Sequence, residues 1–251
     1  MPEEKEVEQK QVRLSELKAE LATYETDQAT LKAELAAFER LYIRQVGILY
    51  AELDAIEAKI AEKLSQQNPF DVEARTKAEQ ARKRAETSER ETAQDSTPSC
   101  EQPEKPIVYT ESLKKLYREV AKRVHPDLAD DEEDRARRHH TMAEANRAYE
   151  QGDEERLQAI LDDWHDSLRP ERADDIGTKL ILLIRKIAKT EERIQAIQAE
   201  INTLRQSNIY VLRQRVLEAE TRGYDLLTAM ASRIRDQIAA KLRILDKLSK
   251  T

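Results

Sequence analysis

His125, Pro126 and Asp127 stand together at the end of a run dense in cations, and no other residues of the chain are better placed to act on a partner. A histidine brings two ring nitrogens, an aspartate brings a carboxylate that accepts charge-assisted hydrogen bonds, and the proline between them fixes the backbone angle separating the two. Taken alone the tripeptide also reads as an ordinary helix-ending turn, since proline stops a helix and aspartate caps the next one. The remaining reactive side chains point away from catalysis. His139, His140 and His165 lack a His-Glu-x-x-His arrangement, and adjacent histidines on a helix project in different directions, so they read as surface residues and no metal site is expected. Cys100 is the single cysteine, which excludes an intrachain disulfide and a thiolate metal cluster. There is no glycine-rich phosphate loop, no Gly-x-Ser-x-Gly elbow and no nucleophile with an identifiable base. The expectation is a protein without enzymatic activity, catalytic residues or cofactor.

The segment that presents the tripeptide is Ser112 to Asp127. On a helical wheel Leu113, Leu116, Val120 and Val124 share one side, with Tyr117 at its edge, while Lys114, Lys115, Arg118 and Lys122 share the opposite side. Only Glu119 interrupts the cations, and such clustering costs self-repulsion, so an acidic partner explains the face better than stability does. After the loop, the carboxylates of Asp130 to Asp134 favour a new helix N-terminus. That helix turns Met142, Ala145, Ala148 and Tyr149 inward and ends at Gly152, and Asp153 caps a third helix with Leu157, Ile160, Leu161, Trp164 and Leu168 as its stripe. The three helices make a small antiparallel bundle.

The elements around this module follow from composition. In 251 residues there are four glycines and seven prolines, and 37% of residues are charged against 39% hydrophobic, which describes an all-α chain of long helices without a large core. From residue 4 to residue 67 apolar residues recur at alternating steps of three and four: Leu14, Leu17, Leu21, Tyr24, Leu31, Leu35, Phe38, Tyr42. This is a coiled-coil seam with Gln28 in its polar slot. Beyond Tyr42 the stripe widens by one position to Val46, Leu49, Leu53, Ile56, Ile60 and Leu64, and Asn68-Pro69 ends the helix. Residues 68–106 read as a charged, proline-containing linker, with helical character around 73–93. The middle helical module occupies 107–168, closed by Arg169-Pro170, and a second coiled-coil helix spans 171–249. In that helix Asn208 is placed to set register and Gly223 to bend the chain. The two coils can pair with each other as an antiparallel hairpin or between two chains as a homodimer, and both satisfy the pattern.

Lys114-Lys115-Leu116-Tyr117-Arg118-Glu119-Val120-Ala121, three further residues, then His125-Pro126-Asp127 resembles the second helix and signature loop of J domains, the DnaJ-like co-chaperone family. Glu144-Ala145-Asn146-Arg147-Ala148-Tyr149 is similar to the family's third-helix motif. The resemblance covers about residues 111–150. The family's first helix has no counterpart, because Pro103 and Pro106 occupy its place; Met142 stands where a phenylalanine is usual, and the connection after the loop is longer. One face of the helical pair must then be covered by Ile107 and Val108, by the Trp164 helix or by a coiled coil.

What the resemblance implies is docking onto the ATPase domain of a DnaK-type chaperone, with the hydrolysis performed by that partner. Lys114, Arg118, Lys122 and Arg123 would steer and hold an acidic surface, and Asp127 would accept a hydrogen bond from a partner arginine. Pro126 would set the loop angle, His125 would brace the loop, and Tyr117 would add contact at the rim. The coils would serve a client, a partner coil or oligomerisation. The competing reading is a coiled-coil scaffold whose J-like module no longer stimulates a chaperone.

Net charge is −7 with acidic and basic residues interleaved, so nucleic acid is not an expected partner. An accessory nucleic-acid role for the basic face would show binding that collapses with salt and does not depend on Asp127. The polar faces of the coils lack the basic, aromatic-flanked pattern of membrane-surface helices, and the Met-Pro-Glu-Glu-Lys start is too acidic for a signal peptide. The expected location is the cytoplasm.

Overall fold

A computed structural model of the chain describes residues 2–94, 109–129, 131–164 and 176–250, and among these every regular element is helical. The proline-rich stretch 95–106 with Cys100, the residues Ile107 and Val108, and the segment holding His165, Leu168 and Pro170 lie outside the described residues. The chain divides into two compact units: Met1–Glu34 with Glu104–Ser207, and Leu35–Pro103 with Asn208–Thr251.

In the first unit the N-terminal part of α1 (Pro2–Tyr42) packs along α7 (Ile176–Gln206). Leu17 and Leu21 meet Ile194, Ile197 and Ile201, and Val7 and Leu14 meet Leu183. The polar slot is filled as well, for Gln28 is buried and its Nε2 donates to Glu200 Oε2 at 2.7 Å. The pairing is therefore within the chain. It is parallel, not antiparallel: Leu14 lies with Leu183, Glu25 with Arg193 and Gln28 with Glu200, so residue numbers rise together along both helices. A parallel pair needs a long connection, and the intervening 130 or so residues supply one, whereas a short loop permits only the antiparallel arrangement.

Against this pair sit α4 (Glu111–Val124), α5 (Glu132–Gln151) and α6 (Glu154–Asp163). Each helix is capped locally. Thr110 Oγ1 accepts from Leu113 N at 3.0 Å, Asp131 Oδ1 from Asp134 N at 2.8 Å, and Asp153 Oδ1 from Arg156 N at 2.8 Å. Gly152 ends α5 with φ 71°, a left-handed conformation that a side chain resists. Leu113, Tyr117, Val120, Val124, Met142, Ala145, Ala148, Tyr149, Leu157 and Ile160 form one core, and Ala22 of α1 belongs to it. Fully burying such apolar side chains contributes about 1.5–3 kcal/mol each, while ordering backbone costs about 1–2 kcal/mol per residue. A module this short gains by using a neighbouring helix as a wall. The remaining face of the α4–α5 pair is covered by α6, through Leu157, Ile160 and Trp164, and by α1, through Ala22 and Ala29.

The second unit holds the end of α1, α2 (Ile48–Gln67), α3 (Val72–Gln94), α8 (Asn208–Thr221) and α9 (Leu226–Ser249). The one-position widening after Tyr42 corresponds to a single π turn at Ile43–Gly47, where an extra residue rotates the stripe and buries Val46. Phe38, Val46, Leu53 and Ile56 pack with Leu227, Ile234 and Ile238. Residues 72–94, expected within a linker, form a helix packed on α2. Ala74, Ala78, Ala81, Ala85, Ser88 and Thr92 are its half-buried positions, Ser88 Oγ donates to Asp54 Oδ2 at 2.6 Å, and Arg84 stands 3.8 Å from Glu57. The expected single C-terminal helix is broken at Ser207 and again at Arg222–Asp225, where Gly223 adopts φ 74°. Asn208 is exposed at the start of α8 and has no register role.

Candidate partner-binding site

The site is built where α4 ends. His125 leaves the helix with φ −56° and ψ 131°, as a residue before proline must, and Pro126–Leu128 make one 3-10 turn. The turn closes on itself: Leu128 N donates to the His125 carbonyl at 3.0 Å, Ala129 N to the Pro126 carbonyl at 3.2 Å, and Asp127 N to His125 Nδ1 at 3.1 Å. Because Nδ1 accepts, Nε2 carries the ring proton and donates to Glu25 Oε1 at 3.0 Å. His125 is 4% exposed, so it braces the turn against α1 and is not a surface group.

Glu25 is the centre of a buried charged cluster. Besides His125, it receives hydrogen bonds from Arg193 Nη2 at 3.0 Å and Nε at 3.3 Å. Burial works to raise its pKa, but the His125 hydrogen bond and the Arg193 guanidinium outweigh burial and hold it below the ordinary carboxylate value. Asp127, half-buried, points its Oδ1 at Lys189 Nζ of α7, 3.0 Å away. α1, the His-Pro-Asp turn and α7 thus meet at one spot.

The cations chosen from sequence divide into two groups. Lys122 and Arg123 are exposed beside the turn, Lys115 is exposed near the start of α4, and Lys114 and Arg118 are half-buried. The Arg118 guanidinium is 3.9 Å from Glu111, and its Nε is buried with no hydrogen-bond partner among the described residues. Tyr117 is a correction. Expected at the rim, it is 1% exposed, packed against Tyr149 with ring centroids 4.5 Å apart and the rings tilted by 41°, and its hydroxyl donates to Asn146 Oδ1 at 2.6 Å. The large ring fills the space between α4 and α5 that the wheel assigned to its neighbours, so it is no contact residue. Burial pushes its phenol well above the ordinary range.

Residues that the sequence did not single out complete the site. Arg138 is buried, with Nε on Asp134 Oδ2 at 2.6 Å and Nη1 on the Arg123 carbonyl at 2.5 Å, which ties the end of α4 to α5. The Asp134 carboxyl, which partial burial alone would raise, is held low by Arg137 and Arg138. Thr30 of α1 shares a 2.6 Å hydrogen bond with the Tyr149 hydroxyl. A signal for α1 existed in the small-residue stripe Ala22, Thr26, Ala29 and Ala33, which marks a second buried face beside the leucine seam. For Lys189 and Arg193, on a helix rich in both charges, no comparable signal existed.

His139 and His140 are exposed on α5, and no group of three or more metal-binding side chains gathers among the described residues. In the second unit a groove of about 900 Å³ beside the π turn is lined by Tyr42, Tyr50, Asp54, Asn208, Ile209 and Leu212, and none of the candidate partner-binding residues lies in it. No helix among the described residues is long and apolar enough to cross a membrane. Comparison with family models, curated proteins and solved structures finds no match to this chain.

Proposed function

We propose that the chain is a non-enzymatic, cytoplasmic co-chaperone of J-domain type, whose partner is the ATPase domain of a DnaK-type chaperone. The observation that carries the reading is the α4 terminus: exposed Lys122 and Arg123 stand beside a His-Pro-Asp turn held in one conformation by its own hydrogen bonds, and exposed Lys115 extends the cationic surface toward the start of the helix. Exposed cations steer an acidic surface, and a preorganised carboxylate then fixes the complex through a charge-assisted bond. Pro126 and His125 serve that carboxylate by shaping and bracing the turn. The parallel coil of α1 and α7 carries the module and leaves the remaining helices for a client or a second protein.

The test is ATP hydrolysis by a DnaK-type chaperone under single turnover. Wild type is expected to accelerate it, and Asp127→Asn, which keeps size and removes charge, to lose roughly tenfold or more, the equivalent of about 1.4 kcal/mol. Full acceleration by Asp127→Asn at subsaturating concentration contradicts the reading.

One observation favours the alternative of a structural joint in a coiled-coil scaffold: His125 and Asp127 already have partners in Glu25 and Lys189. On that reading wild type does not accelerate hydrolysis at any concentration.

A further inference from the structure

We infer that Lys189 is an internal competitor for Asp127, so that α7 latches the His-Pro-Asp turn and a chaperone must displace it. The inference rests on the co-chaperone reading and adds a regulatory contact to it.

Geometry separates what shapes the turn from what covers it. Its conformation is closed by local bonds, Leu128 N to His125 O, Ala129 N to Pro126 O and Asp127 N to His125 Nδ1. His125 also anchors the turn to Glu25, where both side chains are under a tenth exposed. None of these bonds involves Lys189. The Lys189 ammonium reaches over from α7 and occupies Asp127 Oδ1 at 3.0 Å, which is the carboxylate that an incoming guanidinium would need. Both side chains remain partly open, 40% for Lys189 and 23% for Asp127, so the contact lies at the surface and can be exchanged without opening the core.

The chemistry of the two cations gives the exchange a direction. Lysine offers a strongly hydrated point charge on a flexible stem, whereas arginine offers a planar fork that matches a carboxylate with two parallel bonds. Lys189 therefore shields Asp127 against weak or casual cations and yields to a well-placed arginine. Meanwhile Lys115, Lys122 and Arg123 stay exposed, so the encounter surface is open while the carboxylate is occupied. Docking proceeds in two stages: acidic partner meets basic helix, then partner arginine replaces Lys189.

An exposed-side ion pair of this kind shifts an equilibrium by up to about fivefold. The test uses the full chain with Lys189→Met, which keeps the aliphatic stem, and Lys189→Arg, which strengthens the latch. Two readouts are taken: the NMR shift of the Asp127 carboxyl carbon without chaperone, which reports its ion pair, and the concentration of protein that half-maximally stimulates a DnaK-type ATPase. A moved carboxyl signal and an about two- to fivefold lower half-stimulating concentration for Lys189→Met, with a higher half-stimulating concentration for Lys189→Arg, support the latch. An unmoved carboxyl signal in Lys189→Met overturns it. A moved signal with equal stimulation by all three proteins also overturns it and leaves the co-chaperone reading standing. Absence of stimulation by all three, at any concentration, overturns latch and function together.

Discussion

Tyr149→Ala lowers the unfolding free energy of the first unit by about 4 kcal/mol, the range found for removing a buried aromatic ring. The ring is fully buried, lies 4.5 Å from Tyr117 and 5.3 Å from Tyr109 between centroids, and its hydroxyl is 2.6 Å from Thr30 Oγ1. It therefore joins three elements, α1, α4 and α5, and truncation opens a void that none of them can fill alone. Tyr149→Phe keeps the ring and removes the hydroxyl, so it costs only about 1 kcal/mol. Urea unfolding of both variants separates the two contributions. Equal destabilisation would mean that the hydroxyl, not the ring, holds α1 to the module.

The second large effect concerns Glu25. Glu25→Ala leaves the buried His125 Nε2–H without an acceptor and takes the carboxylate from the partly exposed Arg193, and is expected to cost about 1–3 kcal/mol, as loss of the acceptor of a buried donor does. Its acidity adds a signature in pH. The folded carboxyl titrates below its ordinary value of 4.5, so its contribution to stability is complete above that value and disappears as pH falls through the lower, folded one. Wild-type unfolding free energy should drop with acidification in that window, and Glu25→Gln should show a shallower slope. Parallel slopes for the two proteins would remove Glu25 from the cluster's electrostatics.

The helices, the leucine seams and the caps at Gly152 and Asp153 were legible because each depends on neighbours a few residues away. The π turn at Ile43–Gly47 also left a trace, since a stripe that widens by one position needs an extra residue in the backbone. The α3 helix was harder to read as a packed element. Its seam consists of alanine, serine and threonine, which pack closely yet give no hydrophobic signal. The relative direction of the two paired helices was out of reach for a different reason. Nothing in the heptads of α1 and α7 distinguishes parallel from antiparallel, and the choice is made by the chain that intervenes. At the site, the His-Pro-Asp turn and its exposed cations were found from local spacing. Tyr117 was misplaced because a wheel gives direction but not depth, and the core between α4 and α5 had room for a ring rather than a methyl group. Glu25, Lys189 and Arg193 come from segments up to 168 residues apart, so only the folded chain brings them to the turn.

The central claim is that a chaperone ATPase docks on the end of α4, and hydrogen–deuterium exchange of the full chain with and without an ATP-bound DnaK-type chaperone tests it most directly. The account predicts slower exchange at residues 123–129 in the complex, with α2, α3 and α9 unchanged. Unaltered exchange at 123–129, or protection confined to α2, α3 and α9, would contradict it.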